Sequence, residues 1–157
     1  MALPTTATRS GDEPQQVREW LYPLLSTDAL LADALEVPLE ALPDHLWPEQ
    51  APADTDRRWV VYDAQQAALV VQPVGPWDRL MVPVPLNVRC IARADDTAWA
   101  YVAARRIHAL LQGNHNAPVA HGGLVLTCQR QSALDYPEDA GGIRYRHVGG
   151  IYTVQVN

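Results

Sequence analysis

The chain contains no lysine; all twelve of its basic residues are arginine. A GC-rich genome accounts for that bias, but the physical consequence stands: arginine keeps its charge and offers a planar fork, which suits packed interfaces better than an ammonium does. Cysteine is scarce. Cys90 and Cys128 both fall in β-rich runs, and no charged and apolar secretory leader opens the chain, so a structural disulfide is not expected. Both thiols are expected to be small buried hydrophobes in a protein made in a reducing cytoplasm. No apolar run approaches the ~18 residues of a membrane span. No basic run exceeds two residues and the pI is about 5.2, which argues against a free nucleic-acid binder. Charged residues make up 19% of the chain, below the usual ~25%, which suits a surface partly buried against partners.

The signatures of chemistry are also missing. Gly122-Gly123 and Gly141-Gly142 are isolated pairs with no following helix and no lysine, so no phosphate-cradling loop is present. Gly149-Gly150 lies inside a strand pattern, where a bulge or close backbone approach is the usual meaning. His115, His121 and Cys128 show none of the standard zinc spacings and read as loop histidines and a core thiol. Asp95-Asp96 reads as helix N-terminal acids complementing the dipole, with cation binding as the alternative. Ser10, Ser26 and Ser132 have no elbow-like G-x-S-x-G context, and Glu138 and Asp139 fall in a turn-like segment where solvated charge is expected. No metal, no cofactor and no enzymatic activity are expected.

What is present is patterned. The 157 residues fit one domain able to bury roughly 70% of its unfolded surface. The net charge of −6 is unevenly spread: Met1 to Asp56 holds two arginines against eleven acids, and Arg57 to Asn157 holds ten arginines against seven acids. Residues 1–12 are polar and small and are expected to form a flexible tail, with Ser10 and Glu13 spaced as a capping box. Residues 13–157 are expected to form a single α+β domain. Val17, Trp20, Leu21, Leu24 and Leu25 form a helical stripe that Pro23 should kink or divide, a second helix starting from Ser26 or Thr27 and reaching about Leu35. An acidic connector at about 36–58 carries Pro38, Pro43, Pro48 and Pro52 but also Leu42, Leu46 and Trp47, and reads as a partly ordered arm.

From Trp59 the period becomes two. Residues 59–62 and 68–71 are consistent with a hairpin. From Leu80 to Ala92 every even position is apolar, and the odd positions, including Pro83, Pro85, Arg89 and Arg93, are mixed; the two prolines predict an edge or projecting arm in the first half. Asp95-Asp96-Thr97 offers caps for a helix ending before Gly113, with Trp99, Val102, Ala103, Ile107, Leu110 and Leu111 on one arc. A loop over Asn114 to His121, a strand over Gly123 to Arg130, a turn-rich segment over Tyr136 to Gly142 and a final strand with Val148, Tyr152, Val154 and Val156 on one face complete the chain. The expected fold is an antiparallel or mixed sheet of about five strands, with one helix packed on a face and an N-terminal helical segment.

Surface residues are the more suggestive candidates. Tyr101, Arg105 and His108 follow i, i+4, i+7 on the side of the helix opposite its apolar arc, and form either a solvated face or an inter-subunit contact. Arg89 and Arg93 are either solvated or line a channel, and Arg144 and Arg146, opening the last strand, carry the same two readings.

Several phrases resemble the tail terminator (minor tail, tail completion) proteins of tailed bacteriophages. They are Trp59-Val60-Val61-Tyr62-Asp63, the long strand ending near Val88, the helix from Ala98 closing on Ile107-His108-Ala109-Leu110-Leu111-Gln112-Gly113, and the segment from Gly142 to Val154 after Tyr136-Pro137-Glu138-Asp139. The N-terminal helix with its acidic connector ending near Trp47-Pro48 is also similar, whereas the Pro83/Pro85 strand and the connector's length depart from the family. The resemblance implies a structural subunit of a hexameric ring in the phage tail or neck, capping the tail tube, ending its polymerisation and offering a surface to the head-completion or connector protein. The genome would pass through the lumen without sequence-specific binding. Alternatives are a neck or head-completion protein, or a small ligand-binding α+β domain.

Overall fold

In a computed structural model the described residues are 13–51, 58–66, 82–118 and 124–156, with His115 and Asn116 described in backbone only. The tail, the Ser10 cap, the 68–71 strand, Gly122-Gly123 and His121 lie outside them.

The alternation after Leu80 builds the sheet's centre. Strand β3 (Val82–Arg93) buries Val84, Leu86, Val88, Cys90 and Ala92 while its odd positions stay partly exposed or open. Around it stand β1 (Leu46–Pro48), β2 (Trp59–Ala64), β4 (His115–Pro118), β5 (Leu124–Ala140) and β6 (Ile143–Val156), in the order β1-β2-β3-β6-β5-β4. Among the described strands only β1 and β2 run parallel. The fold is α+β, with a mixed sheet of six described strands against the five expected.

Two helices lie on the even face, and a third, between them in sequence, packs against the last. Helix α1 (Glu13–Ser26) buries Val17, Trp20, Leu21 and Leu25 and runs through Pro23 without breaking. Each buried side chain contributes roughly 1.5–3 kcal/mol, so the stripe together outweighs the ~3 kcal/mol cost of an interior proline. The Thr27 hydroxyl donates to the Pro23 carbonyl at 2.8 Å. Helix α2 (Ala29–Leu35) starts at an Asp28 cap, one or two residues later than expected. Helix α3 (Ala98–Leu111) buries Trp99, Ala100, Ala103, Ile107 and Leu111. Val102, expected on that arc, is 45% exposed; the packed stripe follows i, i+4, i+8, i+12 from Trp99, and Val102 falls outside it.

The expected arm and one expected loop each supply an edge strand of the sheet. Within the connector, a 3₁₀ segment Leu39–His45 leads into β1, where Leu46 is buried and Trp47 pairs in register with Val61. The loop expected from Asn114 contains β4, paired with the start of β5. The Tyr136 to Ala140 stretch, expected as a turn, is instead the far half of β5; only Gly141-Gly142 turns, both with positive φ (59° and 79°), as a two-residue hairpin requires.

The prolines of β3 sit where their missing donors cost little. Gln65 N–H donates to the Pro85 carbonyl, so the nitrogens of Pro83 and Pro85, on the same side of the strand, also point toward β2. Pairing with β2 ends at Ala64 opposite Leu86, short of both prolines.

Candidate interface residues

Arg106 and Arg58 fix where α3 lies. Arg106 makes a two-pronged ion pair with Asp28 (2.9 and 2.6 Å), joining the middle of α3 to the start of α2. Arg58 donates to the Leu35 carbonyl, pairs with Glu36 and Asp96 at 3.0 and 3.2 Å, and lies over the Trp99 ring. With one flank held against α2, α3 turns its other flank toward the β5–β6 ribbon.

There Tyr101 donates from its hydroxyl to Asp135 Oδ2 at 3.0 Å, and Arg146 Nε donates to Asp135 Oδ1 at 2.5 Å. The Arg146 guanidinium holds the Asp135 carboxyl below the usual carboxylate range, with the Tyr101 hydroxyl adding to it. Arg144 lies on the same face of β6 with a long contact to Asp139 (3.9 Å). Tyr101, Arg144 and Arg146, with Thr97 and Pro137, line an open, shallow hollow of about 490 Å³ beside the start of α3.

The other expected residues do not join them. Arg105 is exposed one turn along α3. His108, expected on the solvent side, is half-buried: its ring lies 6.2 Å from that of Tyr152, and Nδ1 is buried without a hydrogen bond. Burial, then the nearby Arg130 charge, holds its pKa below the usual value. The wheel placed Tyr101 and His108 opposite the core, whereas they occupy the flank facing β5 and β6. Arg89 and Arg93 are on the face of β3 away from the described helices, where Arg93 contacts Asp95 at 3.4 Å and Arg89 Nε is buried without a hydrogen-bond partner.

Sequence reasoning missed His147, which is on this same face and 4% exposed. Its ring stacks on Tyr136 at 4.7 Å and 6°. The Glu138 carboxylate approaches Nε2 at 2.5 Å, yet neither ring nitrogen has a hydrogen bond of sound geometry. Burial pushes its pKa down, against the raising effect of Glu138 and with help from Arg89. The residues that bury it belong to three strands, so no local pattern announces it.

Chemically the described residues offer pairing and packing. Burial pushes both cysteine thiols up to about 12, so neither supplies a thiolate near neutral pH. Among the described residues, no group of three His, Cys, Asp or Glu is placed to hold a metal, and no helix is long and apolar enough to cross a membrane.

No protein-family profile matches the chain, and no curated protein matches it by sequence. A solved chain from the virion of a native gene transfer agent particle is similar in fold, with a TM-score of 0.64 at 15% identity, over 90% of this chain and 95% of that one. At that identity the likeness is one of fold.

Proposed function

We propose that this chain is a structural subunit of a phage-like virion, and specifically a tail terminator: a non-enzymatic ring that caps the tail tube, stops further addition of tube protein and presents the surface met by the head-completion protein. The observation that carries the proposal is the fold shared with a gene transfer agent virion chain over nearly the full length of both. Because fold alone does not define function, the element order and the phrases from Trp59 to Val154 that resemble tail terminators supply the finer step. A heterologous interface that closes gives a ring, and such a ring acts by shape, with the genome passing through its lumen and no bond made or broken. The subunit would be made in the host cytoplasm and end in the virion.

Co-assembly with the tail tube protein of the same genome tests this. With the chain present, tubes seen by negative-stain electron microscopy should stop elongating and carry a ring at one end. Tubes of unchanged length with bare ends, and particles that join heads to tails normally without the chain, would overturn the terminator reading.

A further inference from the structure

We infer that prolines close the open edges of the sheet, so that no strand from another molecule can lengthen it. The inference does not rest on the terminator reading, because it concerns how any partner can meet this chain.

Backbone direction decides which stretches are open. The Ala94 N–H donates to the Arg144 carbonyl at 2.9 Å. Arg144 and, by alternation, Arg146, Val148 and Gly150 therefore turn their backbone groups from β5 toward β3. Their partners on β5 are Asp139, Pro137, Asp135 and Ala133, and these turn theirs away from β6. Among the described residues, β4 pairs with Leu124 to Thr127, and the Gln112 side chain accepts from the Arg130 N–H at 3.0 Å. From Ala133 to Ala140 no described strand stands on the outer side, and every residue but Leu134 is exposed. An extended, unpaired run of this kind is a template for a strand of another chain. Pro137 stands in the middle of it. It has no N–H to donate, and its ring fills the space that an incoming carbonyl would need.

The same placement recurs around the sheet. The described strands hold Pro48, Pro83, Pro85, Pro118 and Pro137. None falls in β2 or β6, each of which has a strand on both sides. Pro83 and Pro85 lie where the pairing of β3 with β2 has ended. Pro48 closes the edge strand β1, and the following Glu49 N–H turns inward to the Tyr62 carbonyl at 2.8 Å, so the Pro48 nitrogen faces outward. Pro118 closes the other edge strand, β4. In a doubly paired stretch a proline deletes a ladder hydrogen bond; at an open edge it deletes one that only a foreign strand would make. The sheet is thereby fixed in width, and partners meet its side-chain surfaces instead of its backbone edges.

Pro137→Val tests this, because it restores the missing donor with a strand-forming residue at an exposed position. In the wild-type chain the amides of Ala133, Asp135 and Asp139 should exchange with deuterium rapidly at every protein concentration. In Pro137→Val they should slow by about tenfold or more as concentration rises, and light scattering after size exclusion should show a heavier species that the wild type lacks. Adding Ala133→Pro to that variant moves the block to another outward-facing position and should remove the heavier species. Far-UV circular dichroism verifies that each variant keeps its fold, and Pro137→Thr takes the place of a valine variant that does not. Concentration-dependent protection of these amides in the wild-type chain would overturn the inference without any variant. So would valine and threonine variants that stay as open as the wild type, or a double variant that still associates. No tube protein enters these measurements, so their failure leaves the terminator reading standing, and long, bare-ended tubes leave the closed edges standing.

Discussion

Asp28 serves two structures with one carboxylate. Its Oδ1 accepts from the Leu31 N–H at 2.7 Å, capping α2, and both oxygens receive the Arg106 guanidinium from α3. The bond to Arg106 holds its pKa below the usual value of 3.8. A depressed carboxylate pKa stabilises above the unfolded value and is lost as pH falls through the folded one, so this contribution is complete at neutral pH. Asp28→Ala should lower unfolding free energy by roughly 2–3 kcal/mol, about 1 of it from the cap, whereas Asp28→Asn should keep the cap and lose about half as much. Urea midpoints at neutral pH would measure both; a loss under about 0.5 kcal/mol for the alanine variant would show that the pair contributes nothing net.

His147 acts with the same sign at higher pH. Its folded pKa is depressed, so the unfolded chain binds a proton first as pH falls below about 6.5, and stability declines from there until the folded pKa is passed. His108, depressed by burial, adds to the same trend. The melting temperature should therefore fall between about pH 7 and pH 5. His147→Phe keeps a ring to stack on Tyr136 and removes the titration, and should flatten part of that slope; an identical slope in the variant would assign the effect elsewhere.

At the scale of elements, β6 depends on a residue with no side chain. A Cβ on Gly149 would lie 2.0 Å from the Val88 carbonyl oxygen and 2.7 Å from Arg89 Cα, both backbone atoms that cannot swing aside. Gly149→Ala should cost roughly 3 kcal/mol or more, the upper end for overpacking, read as a drop in the thermal midpoint; a change below about 1 kcal/mol would mean that the strands separate at little cost. This close approach was legible in the sequence, because paired glycines within a strand pattern signal it. So were the face of β3 and the stripe of α1, since local periodicity dictates which side of an isolated element is apolar. The edge strands were not. β1 has three residues and β4 has four, too short for a period to register. The far half of β5 carries Asp135, Pro137, Glu138 and Asp139, turn formers that adopt strand geometry because β6 pairs with every one of them.

Across the whole molecule, the described helices occupy one face of the sheet. The excess of acids before Asp56 and of arginines after it was visible in the sequence. Which charges meet was not, because it depends on strand pairing that sets Asp135 and Asp139 of β5 beside Arg146 and Arg144 of β6. Of the seven candidate residues, Tyr101, Arg144 and Arg146 meet around one hollow; Arg105 stands alone on α3, His108 turns inward, and Arg89 and Arg93 occupy the far face.

By itself the sequence determined the α+β class, the buried face of the long strands and the burial of Cys90 and Cys128, because each follows from how neighbouring residues alternate between water and core. Only the tertiary structure decided which flank α3 presents, that His147 is shut from solvent, and that Asp135 meets Arg146 across the β5–β6 ribbon. Those outcomes depend on contacts such as Asp28 with Arg106 and Tyr101 with Asp135, made between residues 78 and 34 positions apart. No local period carries information over such separations; strand pairing and helix packing set them.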